Sequence, residues 1–510
     1  MEQRRHRPMI NLKQIKLRYL FFYTALCLFF TLSLLLPVNL TNQDIGRHLT
    51  NGREVLNQHW QVLFTNYYSY TKPEKPLVNH HWLSGVIFYL VNQQFGFKGL
   101  HLFHIGIYTL TFAGLLALLK AKIQRDWLVV LLGLPAAVLL SSRAEIRPET
   151  FGHLFLIFSL WQLHLITNQK KIKTRQAAAL LMLQVVWVNL HISFVFNLFL
   201  FGLAWLLSLL QIKPVKNINS KSWLKLTTAL GLVSILNPNL INGLLQPLTI
   251  FTDYGYRIVE NQNLIFLYRV IRSPKIFYWG IAAAVYLILV VRQAAAKRRF
   301  SFYTILAGLG LALGFIALRN IPVMVLFSFP YLATELGRLL SQSKLTVDQP
   351  LTAEIVSLTL AISLTAGFYL RPKFKRGLLQ LGLLPGQNQA AHYLEQHPPE
   401  NPIFNNYDLG SYLIYHLHPN YPVFVDNRPE AYGKEFFQGT YIPMQSNAKK
   451  WQQSLEQYQF QTIIIGVRDI TPWNRAFLKR LVSDPDWKIE YQDQFCAIWK
   501  RADADSGSQM

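Results

Sequence analysis

The amino-acid sequence predicts a polytopic α-helical membrane protein of about eleven transmembrane helices, followed by a C-terminal soluble α/β domain. Three observations predict it. Of the 510 residues, 51% are hydrophobic and only 15% charged, with a positive mean hydropathy that a soluble chain of this length rarely shows. The formal charge of +24 comes from short basic clusters between apolar runs, the pattern of membrane topology and not of a nucleic-acid-binding surface. Beyond residue 385 the long apolar runs stop, and about half of the acidic residues follow. The cysteines, Cys27 and Cys496, lie far apart in sequence and give no disulfide framework or cysteine metal site.

Residues 1–18 are basic and 19–36 apolar. That run is too long for a signal-peptide core, and the chain from Pro37 lacks a small-x-small cleavage pattern, so it reads as an uncleaved first span with a cytoplasmic N-terminus. Hydropathy then places spans near 17–37, 99–119, 127–142, 148–167, 176–190, 192–211, 222–237, 275–292, 300–317, 320–338 and 351–370. The basic clusters, among them Arg4/Arg5/Arg7, Lys120/Lys122/Arg125, Lys170/Lys171/Lys173, Lys213/Lys216 and Arg338/Lys344, fall in the loops this assigns to the cytoplasm. The apolar segment His81–Val91 is about half the length a crossing needs, so it is laid along the outer interface with Trp82 as anchor. Arg371, Lys373, Lys375 and Arg376 form the one basic run left on the outer side, where lipid phosphates are the expected partners. Residues 1–380 thus read as the membrane domain with a long first outer loop at 38–81. Residues 385–502 read as an extracytoplasmic α/β domain with β-rich pieces at 462–466 and 495–499, and 503–510 as a disordered polar tail.

Nearly all reactive side chains fall in the outer loops, which points to a site on one face of a plasma membrane. In Gln43–Leu56 the apolar residues Ile45, Leu49, Val55 and Leu56 mark one face of an amphipathic helix and leave Asp44, Arg47 and His48 together at its start. Asp44 is either a helix cap or a functional carboxylate. His80 and His81 close the same loop and suit phosphate or metal binding, although neighbours on a helix point in different directions. Arg143, Glu145 and Arg147 form either an interfacial ion-pair turn or a phosphate site. Arg319 lies in a very short turn between two apolar runs, where a charge calls for a role. Asn189 and His191 sit in another tight turn and serve either as hydrogen-bonding caps or in the site. Asp253, in the long loop 237–275, is a turn former or a second carboxylate.

Asp44-x-Gly-x-His48, Phe64-Thr65, Ser69-Tyr-Thr71 and Asn79-His-His-Trp-Leu83 resemble the first outer loop of the GT-C glycosyltransferase superfamily, in its bacterial-type branch. The likeness continues through Arg147-Pro-Glu149, Trp187-Val-Asn-Leu-His191, Leu236-Asn-Pro238 and Arg319-Asn-Ile-Pro322, over most of the membrane region. The resemblance implies a sugar donor on a polyprenyl phosphate or pyrophosphate, and Asp44 as catalytic base or metal partner. The branch often carries Glu where this chain has His81, which removes an acid role there. Asn405–Tyr412, with Asp408 and Gly410, and Val425–Glu430, with Asp426 and Asn427, are similar to segments of the oligosaccharyltransferase catalytic subunit. That similarity implies acceptor contact through Asp408, Asp426, Arg428 and Glu430; the bland alternatives are an Asx-turn at Asp408 and a strand end at Asp426.

Sugar transfer from a lipid-linked phosphate needs a carboxylate to take the acceptor's proton and cations for the departing phosphate. The expected enzyme therefore uses Asp44 as base and Arg143, Arg147, Arg319, His80 and His81 on the phosphate, with a divalent cation such as Mg or Mn an open question. Its partners are a lipid-linked sugar donor and a glycan, lipid or protein acceptor, with no nucleic acid. A lipid-linked glycan transporter or flippase would place ionisable residues near mid-membrane and often shows a repeat, neither of which is seen. A non-catalytic assembly protein is the other alternative, and it would tolerate loss of Asp44.

Overall fold

In hydrocarbon every backbone N–H and C=O has to be satisfied within its own segment, so long apolar runs fold as helices. The computed structural model describes residues 12–123, 125–273, 275–342 and 351–502, the side chains of 12–18 and 351–355 excepted. Arg4, Arg5, Arg7, Lys344 and the tail 503–510 lie outside the described residues. The helices of the membrane region and its loops are α1 (Leu12–Ser33), α2 (Ile45–Leu56), α3 (Trp82–Lys122), α4 (Asp126–Leu140), α5 (Glu149–Gln169), α6 (Thr174–Leu190), α7 (Val195–Leu209), α8 (Ser220–Val233), α9 (Leu240–Thr249), α10 (Leu264–Ile271), α11 (Lys275–Ala295), α12 (Phe302–Ile316), α13 (Ile321–Gln342) and α14 (Leu351–Lys375). A helix stands at each predicted span. Among the described residues, 6 stretches are long and apolar enough to cross a membrane. By contrast α6, α8 and α12 have 17, 14 and 15 residues, short of the roughly 20 that a perpendicular crossing takes. The chain is a helical membrane protein.

α3 is broken at Gly96, whose φ of 62° and ψ of −172° are open to glycine and strained for other residues. Its first part, 82–95, is about 21 Å long at the helical rise, too short to cross. This segment, expected along the outer interface, also has partners within the protein. Trp82 Nε1 donates to Asn189 Oδ1 at 2.9 Å and Ser84 Oγ to Leu190 O at 2.6 Å. Opposite, a Cβ on Gly52 of α2 would lie 2.2 Å from Gly85 O, a backbone approach that only two glycines permit. Trp82 is thus bonded to α6. The outer basic run is similarly engaged at Lys373, whose Nζ donates to Ser33 O at 2.8 Å and lies 4.5 Å from the Tyr369 ring centre. It caps the C-terminal end of α1.

The C-terminal domain has β1 (Ile403–Asn405), β2 (Thr462–Gly466), β3 (Trp487–Gln492) and β4 (Cys496–Arg501) in the order β1-β2-β4-β3. β1 and β2 are parallel and the other pairs antiparallel, with Ile464 opposite Ile498. The run Thr462–Gly466 is buried throughout, as a central strand covered on both faces should be. The helices are α15 (Gln389–Gln396), α16 (Gly410–Leu417), α17 (Ile442–Ser446), α18 (Ala448–Tyr458) and α19 (Pro472–Leu481).

The first loop packs on α3 of the membrane region and also on this C-terminal domain. Ile45 and Leu49 of α2 are buried in one cluster with Leu409 and Leu413, and a Cβ on Gly46 would meet Ser411 O at 2.7 Å. Ser69 Oγ and Thr71 Oγ1 both donate to Phe424 O, at 3.1 and 2.6 Å, and Tyr70 OH donates to Ile403 O at 2.8 Å. These bonds fix the start of α2 against the segment 425–430, and the site forms where the two meet.

Candidate active site

Asp44 precedes α2 with helical backbone angles, φ −74° and ψ −6°, and its side chain makes no capping bond. The cap reading therefore fails, and the carboxylate is directed elsewhere. Asn427 Nδ2 donates to Asp44 Oδ1 across 383 positions of sequence. Arg147 Nη1 donates to Oδ2 at 3.4 Å, and Arg47 Nη2 lies 4.0 Å from the same oxygen. Burial pushes the Asp44 carboxyl above the usual carboxylate range, against the pull of Arg147 and Arg47. A raised pKa makes it a stronger base.

Around Asp44 the charges form a lattice. Arg147 reaches Glu145 Oε2 with Nε and Nη2, both at 2.9 Å, and Glu260 Oε1 with Nη1 at 2.9 Å. Arg143 donates to Glu149 Oε1 at 2.6 Å and to Glu260 Oε2 at 2.7 Å. Burial opposes ionisation of Glu260, but Arg147, Arg143 and Arg319 outweigh it and hold its pKa down to about 2. Burial likewise opposes the charge of Arg147, yet Glu260, Asp44 and Glu145 hold its pKa above the ordinary arginine value. Arg319 differs: its Nη1 donates to Asn261 Oδ1 at 2.7 Å, and it pairs with no carboxylate among the described residues.

These groups line a cavity of about 540 Å³. Its lining combines the polar residues Asp44, Arg47, Arg147, Glu260, Arg319 and Glu430 with the apolar residues Val195, Phe196, Pro247, Phe251, Ile316 and Val323. His48, His80, His81 and His191 also face it. His80 and His81 lie in a turn ahead of α3, not on the helix, so both rings reach the cavity. The ring centres of His48 and His81 are 4.6 Å apart, and those of His80 and His81 4.3 Å. Burial lowers the His80 pKa to about 4 and takes His48, His81 and His191 well below the usual value, leaving neutral imidazoles at neutral pH. Arg47 Nη1, His48 Nδ1 and Asn261 Nδ2 are buried without a hydrogen-bond partner. Buried polar atoms rarely stay unpaired, so three around one cavity point to a ligand.

Several expected residues lie elsewhere. Arg143 and Glu145 stand behind the cavity wall, where carboxylate pairing engages the Arg143 guanidinium. Asn189 binds Trp82, Val185 O and Leu236 O, the interhelical reading. Asp253 accepts from Lys75 Nζ at 3.0 Å and Lys434 N at 2.8 Å on a separate polar rim, so the second carboxylate from its loop is Glu260. Asp408 does not line the cavity; burial, then Asp469 and Asp44, raise its pKa to about 7. Asp426 is wholly buried and accepts from Arg428 Nε at 2.8 Å, Arg428 Nη2 at 2.6 Å and Tyr432 OH at 3.1 Å. Its oxygens are therefore closed to an acceptor, while Arg428 and Glu430 do reach the cavity. Sequence reasoning missed Glu260, Asn261 and Asn427 as site residues. The Val425-Asp-Asn motif holds Asn427 in plain view, whereas Glu260 and Asn261 carry no local signal beyond lying in a long outer loop.

No protein-family model and no curated protein sequence matches the chain. Solved structures do. The archaeal oligosaccharyltransferase AglB from Archaeoglobus fulgidus, in complex with an inhibitory peptide and a dolichol-phosphate, superimposes with a TM-score of 0.59 at 12% identity, over 95% of this chain and 74% of that one. The apo form of the Archaeoglobus fulgidus oligosaccharyltransferase gives 0.60 at 11% identity, over 95% and 75%. ArnT from Cupriavidus metallidurans, bound to undecaprenyl phosphate, gives 0.51 at 12% identity, over 96% and 99%. Both proteins are GT-C glycosyltransferases, and the likeness establishes the fold.

Proposed function

We propose that this chain, which has the GT-C membrane fold, moves a sugar from a polyprenyl-phosphate-linked donor to a lipid, glycan or protein acceptor at the outer face of the plasma membrane. The observation that carries the reading is one cavity lined by a carboxylate that makes no capping bond, by unpaired buried donors and by apolar side chains. Asp44 takes the proton of the acceptor hydroxyl or amine as its lone pair attacks the anomeric carbon. The bond from that carbon to the phosphate oxygen breaks, and its electron pair stays on the phosphate. Charge grows there, and preorganised donors stabilise it.

The sequence assigned that task to Arg143, Arg147 and Arg319. Carboxylates already engage the first two, so the phosphate role passes to Arg319, Asn261 Nδ2 and Arg47 Nη1, with neutral His48, His80 and His81 as further donors. The apolar lining residues, among them Val195, Phe196, Phe251 and Val323, suit the first isoprene units next to the phosphate. Arg428 and Glu430 bring the C-terminal domain to the acceptor side. Asp426 positions Arg428 through its paired bonds.

Purified full-length protein in lipid nanodiscs, assayed with a panel of polyprenyl phosphate and pyrophosphate sugars, tests the reading. Transfer or release of sugar from at least one donor is expected. Arg319→Gln should raise the donor KM by about 10- to 100-fold, the worth of a charged hydrogen bond, with a smaller change in kcat. Absence of both turnover and donor binding across the panel would turn the assignment toward the assembly or transport alternatives.

A further inference from the structure

We infer that Arg147 is the resident cation of this site and that the site takes no divalent metal. The inference concerns the same cavity and rests on the proposed reading only in giving Asp44 a chemical role. A metal partner role for Asp44 requires its carboxylate to share an ion with other ligands. Calcium- and magnesium-type ions need about six oxygens at roughly 2.0–2.6 Å. The acidic groups nearest Asp44 are Glu145 and Glu260, and one guanidinium already joins all three.

Arg147 Nη1 contacts both Asp44 Oδ2, at 3.4 Å, and Glu260 Oε1, at 2.9 Å, while Nε and Nη2 hold Glu145 Oε2 at 2.9 Å. A nitrogen thus occupies the point between Asp44 and Glu260 that a shared ion would require. The remaining oxygens are also engaged. Asp44 Oδ1 accepts from Asn427, and Glu260 Oε2 accepts from Arg143 Nη1 at 2.7 Å. Among the described residues no group of three or more His, Cys, Asp or Glu side chains has a metal-binding arrangement. Nor can the ion be admitted by deprotonating the arginine, since guanidinium stays charged at any working pH. Arg147 is therefore a positioning residue: it holds the base in place without the strong loss of basicity that direct metal ligation imposes.

Mn²⁺ binding to the full chain, followed by EPR in the absence of any donor, tests this apart from catalysis. Wild type is expected to bind no stoichiometric Mn²⁺. Arg147→Ala removes the cation and exposes Asp44, Glu145 and Glu260 to each other, so it should gain stoichiometric Mn²⁺ binding, and Arg147→Lys, which keeps the charge, should gain none. Stoichiometric Mn²⁺ on wild type, lost in Asp44→Asn or Glu260→Gln, would overturn the inference. So would an Arg147→Ala protein that elutes as a folded monodisperse species and gains no Mn²⁺. The transferase reading fails by a different result, absence of donor binding and turnover, so the two failures are distinguishable.

Discussion

Asp44→Asn is expected to lower the rate of sugar transfer by about 10²- to 10⁴-fold, the usual worth of a positioned general base, while the donor still binds. The amide keeps the size of the carboxylate and one acceptor oxygen but cannot take a proton. Asp44 is a partner in the lattice and not a cap, so the start of α2 should remain in place. The pH dependence follows from the same geometry. The base works ionised, so activity falls as pH drops through its pKa, which burial has raised above the usual carboxylate range. The Asn427 amide donates to the ionised form and holds that pKa down; Asn427→Ala should therefore move the acid limb of the pH–rate profile to higher pH. Initial rates of wild type and both variants across pH measure this. Equal transfer by wild type and a folded Asp44→Asn protein would remove Asp44 as the base and leave Glu430, a cavity carboxylate that forms no guanidinium salt bridge among the described residues, as the group to examine.

Arg428→Met should destabilise the protein by roughly 3–5 kcal/mol, because it leaves a buried carboxylate without its counter-ion. Asp426 is fully buried and takes both of its strongest bonds from Arg428, whose Nη2 also donates to Asn66 Oδ1 at 2.8 Å. One substitution thus loosens the C-terminal domain and its seam with the first loop. Burial opposes ionisation of Asp426, but Arg428 outweighs it and holds the carboxyl below its ordinary value. The stabilisation from a lowered carboxylate pKa is present above the unfolded-state value, about 3.9, and is lost as pH falls through the folded value. The gap between wild type and Arg428→Met should accordingly be widest near neutral pH and narrow below about pH 4. The double variant Asp426→Asn with Arg428→Met should cost less than Arg428→Met alone, since no charge is stranded. Thermal unfolding of the three proteins at two pH values decides it; a single variant as stable as wild type would mean that water reaches Asp426.

Much of this protein is legible in one dimension. Apolar run length places α1, the second part of α3, α4 to α8 and α11 to α14, because hydrocarbon leaves the backbone no other partners. The positions of Asp44, Arg47 and His48 on one helical turn, and of Arg319 in a tight turn, follow from helix periodicity and from the scarcity of charge between apolar runs. The buried strand Thr462–Gly466 announces itself as an unbroken β-branched run.

What the chain does with its charges is decided only in three dimensions. In sequence Arg143, Arg147 and Arg319 are all phosphate candidates, but Glu260 arrives from a loop more than a hundred positions from the first two and engages them while leaving the third. Asp426 and Asn427 are neighbours, yet one turns inward to Arg428 and the other outward to Asp44. Trp82 reads as an interfacial anchor in sequence, and only the fold shows its bond to Asn189 of α6. Hydrophobic burial is read from local periodicity because every apolar residue seeks the same environment. A guanidinium or carboxylate takes its role from whichever partner lies within a few ångströms, and that partner is brought by the folding of distant segments.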